Sequence, residues 1–73
     1  MNHRVRDPEA ERSAVRAAAA RLLAGTPERA TPGRLNASAL IIESGVRRDV
    51  VYAFHRDLVE EFRADAQRLR QTA

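Results

Sequence analysis

Seventy-three residues suffice for one small domain and exclude a second. A chain this short buries only about 60% of its unfolded surface, so its core is thin. Leu, Ile, Val and Phe supply 16 residues and Ala much of the remaining apolar content, which predicts a marginal, helical domain.

Charge is modest overall and uneven in its placement. Thirteen Arg oppose ten acids for a net of +3, and Lys is absent, so the pI of 11.0 overstates the charge. Residues 1–34 hold seven Arg and four acids, while residues 35–73 balance six against six. The basic excess therefore lies at the N-terminal end, where an arm can meet a polyanion. Absence of Cys excludes disulfides, thiol catalysis and Cys-based zinc sites. No apolar run approaches the roughly 18–20 residues that span a bilayer, since Arg16 and Arg21 bracket the Ala17–Ala20 tract. Met1-Asn2-His3-Arg4 is not followed by the apolar stretch of a secretory signal. A cytoplasmic location without a membrane partner is expected.

In chain order, residues 1–7 read as a flexible basic arm and residues 8–73 as a single helical domain. Asp7-Pro8 predicts a helix start, because Asp caps well and Pro suits the first helical position. Glu9 and Glu11 add negative charge to the first turn, as the helix dipole prefers. Val15, Ala18, Ala19, Leu22 and Leu23 then form one apolar stripe, and Gly25 with Pro27 stops the helix. Residues 25–34 form a linker rich in Pro and Gly. Asn36 predicts the cap of a short helix over Ala37 to Ser44, closed by Gly45. A further helix starts near Arg47. Its apolar positions Val51, Phe54, Leu58, Phe62, Ala66 and Leu69 keep one phase, which allows a single helix over residues 47–70. The favoured reading breaks it near residues 55–57, with Asp57 and Glu60 spaced as a capping box. No strand pattern or repeat is present. The expected fold is all-α, a bundle of three or four helices.

Around Gly45 the spacing becomes specific. Leu40 and Ile41 precede it by five and four residues, Val46 follows, and Val51 and Phe54 come six and nine later. A short helix, a tight Gly turn and a second helix require this arrangement: Leu40, Val51 and Phe54 pack inward, Gly45 supplies the turn and Val46 plugs the corner. The pattern predicts a helix-turn-helix over residues 36–56. Its second helix would enter a DNA major groove and present its first residues to base edges.

The stretch LNASALIIESGVRRDVVYAFHRDLVEEF resembles the DNA-binding domain of tetracycline-repressor-type regulators. Asn36 stands at the helix cap, Ser44-Gly45-Val46-Arg47 at the turn, and Tyr52 at that family's Tyr. The continuation into Asp57-Leu58 is similar to small helix-turn-helix proteins carried with mobile-element recombinases. The resemblance covers about residues 10–62, and its diagnostic part is residues 36–58. Ile41 departs from the usual Ala, and Arg47 from the Ser that usually caps the second helix. The family adds a ligand-binding and dimerising domain after the motif, whereas these residues stop at Ala73, so no small-molecule effector is expected.

Geometry then assigns roles. With Val46, Val51 and Phe54 inward, the start of the second helix leaves Arg47 and Arg48 to bind guanine edges or grip phosphates. Asp49 opposes phosphate contact; it caps or orients Arg48, or accepts from a cytosine amino group. Tyr52 and Arg56 are expected on phosphates, which position a helix without reading sequence. Asn36 lies at a helix N-terminus, where backbone N–H groups favour phosphate. Arg4 and Arg6 would enter a neighbouring minor groove, by analogy with homeodomain arms.

The remaining polar residues suggest little chemistry. His3 and His55 are too few for a metal site, and His55 is expected at a helix end near phosphate or solvent. Glu60 and Glu61 read as surface acids. No nucleophile–base–orienter set can be assembled, so neither enzyme activity nor a cofactor is expected. Ile42, left exposed beside Val59 and Leu69, points to a homodimer contact, and twofold pairing would double the base pairs read. The partners expected are double-stranded DNA and a second copy of the chain. The rival reading is a protein-interaction module that keeps the fold without binding DNA, suggested by Asp49 in the reading helix and the acidic Asp57–Glu61 segment.

Overall fold

The computed structural model describes residues 6–72. They form four helices and no strand: α1 (Pro8–Ala24), α2 (Ala37–Ser44), α3 (Arg48–Phe54) and α4 (Arg56–Thr72). Arg4 lies outside the described residues.

Local signals set both ends of α1 and of α2. The Asp7 carboxylate accepts from the Ala10 N–H at 3.1 Å, with Pro8 in the first turn of α1. At the other end Gly25 adopts φ 80°, and the Gly25 and Thr26 N–H groups donate to the Leu22 and Arg21 carbonyls. That closure satisfies carbonyls that helix geometry leaves without partners. Asn36 Oδ1 accepts from the Ala39 N–H at 2.8 Å and starts α2. Gly45 ends it with φ 75°, its N–H donating to Ile41 O. Ser44 locks the same turn: its hydroxyl donates to Ile41 O at 2.9 Å and accepts from the Val46 N–H at 3.1 Å.

One core joins the four helices. Val15, Ala18 and Leu22 from α1 meet Leu40 and Ile41 of α2, Val51 of α3, and Leu58, Val59, Phe62 and Ala66 of α4. The α1 stripe is as expected, with Ala19 and Leu23 half-buried at its edge. Val46 also packs half-buried against the core, at the corner between α2 and α3.

The break between α3 and α4 falls at His55, a single residue whose carbonyl accepts the Leu58 N–H. Asp57 and Glu60 do not form the expected capping box. Because α4 begins at Arg56, Asp57 lies inside its first turn, and its carboxylate turns to Arg12 of α1 at 2.5 Å. The break also shifts the inward phase. His55, not Phe54, follows Val51 into the interior, so Phe54 is 58% exposed and His55 only 1%. Val59, expected beside Ile42 in a dimer contact, is 1% exposed and belongs to the core. Ile42 and Leu69 remain exposed.

The turn carries a test of its own. A Cβ at Gly45 would meet the Arg29 guanidinium, and φ there is +75°. Gly45→Ala is therefore expected to cost about 1–2 kcal/mol, the usual penalty for a side chain in the left-handed region. Urea unfolding measures this, and an unchanged midpoint would mean that the turn relaxes.

Candidate nucleic-acid interface

The start of α3 is a free corner. Arg47 is its N-cap, with extended backbone and no side-chain capping bond, in keeping with the missing Ser. Arg47, Arg48 and Asp49 are all exposed. Asp49 pairs with Arg47 at 3.2 Å and does not orient Arg48. No ion pair among the described residues engages Arg48. At the opposite end of α3, the Arg56 guanidinium lies 5.5 Å from the centre of the half-buried Tyr52 ring, within cation–π reach. The structure thus brings Arg47, Arg48 and Asp49 together, and separately Tyr52 with Arg56. Asn36 stands apart from both groups at the start of α2.

Arg6 is held against the protein and does not project freely. Its guanidinium lies 4.0 Å from the centre of the Phe54 ring and donates to both oxygens of Glu11, at 2.6 and 3.0 Å. The exposed Phe54 thereby gains a cover that the apolar pattern did not show, and Arg6 meets the domain at the end of α3.

Two polar clusters behind this surface were not visible in sequence. In the first, Glu43 of α2 is 0% exposed. Its Oε1 accepts the N–H groups of Arg29 at 2.7 Å and Ala30 at 2.9 Å. Its Oε2 accepts the Glu28 N–H at 2.8 Å and Arg21 Nε at 2.5 Å. One carboxylate thus satisfies three linker amides and ties α1 and the linker to the helix before the turn. Burial opposes ionisation of Glu43, but the N–H groups of Ala30 and Glu28, with Arg21 and Arg29, outweigh it and hold the carboxyl down at about 2.

His55 is the centre of the second cluster; it stands at a helix end as expected, but it is buried and not open to solvent. Its Nε2 lies 2.8 Å from Glu11 Oε1, and its Nδ1 3.4 Å from Arg12 Nη1. A carboxylate only accepts and a guanidinium only donates, so these contacts suit the Nε2–H tautomer. Hydrogen bonds from Arg6 and then His55 lower the Glu11 carboxyl to about 2. Arg12 holds Asp57 below the usual carboxylate range, and Asp57 in turn raises Arg12. The N-terminal half of α1 is thereby bolted to the α3–α4 junction.

Glu60 and Glu61 are exposed. Among the described residues no group of three His, Cys, Asp or Glu could hold a metal ion, and no helix is long and apolar enough to cross a membrane. No protein family, curated protein or solved structure matches the chain.

Proposed function

We propose that this chain is a sequence-specific binder of double-stranded DNA, acting as a small transcriptional regulator or as an accessory protein of a mobile element. The observation that carries this reading is the exposed start of α3. Arg47 and Arg48 project there from a turn braced by Ser44 and, through α2, by Glu43. A rigid mount matters because base-edge hydrogen bonds demand a fixed donor geometry. Tyr52 and Arg56, stacked at the other end of α3, suit phosphate contacts that set the docking angle. The resemblance to tetracycline-repressor-type DNA-binding domains supports the same reading. Affinity would come from phosphate neutralisation and selection from Arg47 and Arg48. A role on DNA implies a cytoplasmic location and is carried through here without catalysis or a small-molecule effector.

The reading includes a homodimer, since a lone motif reads few base pairs and Ile42 and Leu69 are exposed apolar side chains. A protein-interaction module is the second reading. It is favoured by Asp49, which draws Arg47 into an internal ion pair, and by the exposed Ile42 and Phe54. Selection from a random duplex library at two salt concentrations separates the two. A palindromic motif is expected. A single unrepeated motif would remove the homodimer, and no retention even at low salt would leave the interaction module.

A further inference from the structure

A depression of about 340 Å³ opens between α4 and the start of α2, away from the residues assigned above except Asn36. Arg63, Gln67 and Arg70 line one side of it, at i, i+4 and i+7 of α4, a spacing that gathers side chains on one helix face. The buried Ala37 and Ala66 also line it, and their small side chains leave its space open.

Among the described residues no carboxylate lines this depression. Elsewhere five arginines pair with acids, Arg6 with Glu11, Arg12 with Asp57, Arg21 with Glu43, Arg47 with Asp49 and Arg68 with Asp65, while Arg16, Arg29, Arg34, Arg48 and Arg56 enter no ion pair among the described residues. Arg63 and Gln67 take part in no ion pair or side-chain hydrogen bond among the described residues. Arg70 donates one N–H to the Leu35 carbonyl at 3.2 Å, which steadies its guanidinium across the gap and leaves its other donors unused. Asn36 Oδ1 is occupied by the Ala39 N–H, so its side chain offers the NH2 group. The described residues thus give the depression two positive charges, two amides with free donors and no opposing acid.

We propose that this depression is a phosphate-binding site. A phosphate group carries enough oxygen acceptors and charge for two guanidinium groups at once, where a carboxylate supplies a single charge. Its source is either the backbone of a nucleic acid or a small phosphorylated compound. The nucleic-acid source rests on the proposed DNA binding; the site itself does not.

The test is an NMR titration of the isotope-labelled chain with inorganic pyrophosphate. Shifts are expected at the Ala37, Ala66 and Gln67 amides and at Arg63 Nε. Arg63→Ala should weaken pyrophosphate binding about tenfold, the scale of a charge-assisted hydrogen bond, with an unchanged melting temperature. Absence of local shifts, an equal response to acetate at the same ionic strength, or unaltered binding by Arg63→Ala would overturn the site. A duplex titration then assigns the source. If the ligand is the nucleic-acid backbone, Arg63→Ala lowers the slope of log affinity against log salt by about one. An unchanged slope, where Arg63→Ala does weaken pyrophosphate binding, assigns the site to a small phosphorylated compound. Pyrophosphate binding without any duplex binding by the wild-type chain would keep the site and remove the DNA reading.

Discussion

Glu43→Ala lowers the melting temperature by on the order of 10–20 °C in a domain of this size, the largest stability effect expected of any surface or buried polar residue here. The carboxylate is 0% exposed and is the shared acceptor of three consecutive backbone amides and a guanidinium. Its removal strands the Glu28, Arg29 and Ala30 N–H groups in the interior, where unmade hydrogen bonds are costly. Glu43→Gln is expected to rescue little. Both oxygens accept two donors each, and an amide NH2 in place of one oxygen would face two N–H groups.

The same site sets the response to acid. Burial works against the charged form, yet the Ala30 and Glu28 amides with their neighbours win, and the folded carboxyl sits at about 2 against an ordinary 4.5. The unfolded chain therefore binds this proton first. Stability from Glu43 is complete above about 4.5 and is lost as pH falls toward about 2. Glu11, also at about 2, adds to the loss in that window, and Asp57, lowered by Arg12, adds in the same direction. Thermal melts by circular dichroism across that range check this: the wild type should destabilise steeply with acid, and Glu43→Gln should start lower and fall less. Equal melting temperatures for the two proteins at neutral pH would dismiss Glu43 as the tie between linker and helix.

Arg48→Ala is expected to weaken binding to a selected duplex by about 1–3 kcal/mol while leaving the melting temperature unchanged. The side chain is exposed and engages no carboxylate among the described residues, so its truncation removes DNA contact and little else. Arg47→Ala should weaken binding less, because Asp49 already shares that charge at 3.2 Å. Asp49→Ala follows from the same contact: it releases Arg47 and should raise affinity for all duplexes, narrowing discrimination. Fluorescence anisotropy on selected and scrambled duplexes measures all three. A loss confined to the selected duplex assigns Arg48 to base reading, whereas an equal loss on both assigns it to phosphate. No loss on either would remove α3 from the interface.

Sequence alone was a good guide to helix ends and a poor guide to one turn of helix. Asp7-Pro8, Gly25, Asn36 and Gly45 act within a few residues of themselves, through capping bonds and left-handed φ, and each stands where its local chemistry requires. Phe54 was misplaced because the apolar phase runs on smoothly from Val51 through Phe54 to Leu58. The positions Val51, His55, Leu58 and Phe62 step by 4, 3 and 4 and are equally regular. They are the ones buried, but a histidine does not register as core in an apolar pattern.

Thus the sequence by itself determined an all-α chain, the boundaries of α1 and α2 and the short-helix, Gly-turn, short-helix spacing around Gly45, because those depend on neighbours a few residues apart. Only the tertiary structure decided what becomes of Glu43, His55 and Arg6. Their partners lie elsewhere in the chain: for Glu43, linker amides 13 to 15 residues away; for His55, groups of α1 43 and 44 residues away; for Arg6, the Phe54 ring at the end of α3. A buried charge is tolerated only where such distant donors converge, and that convergence has no trace in local pattern.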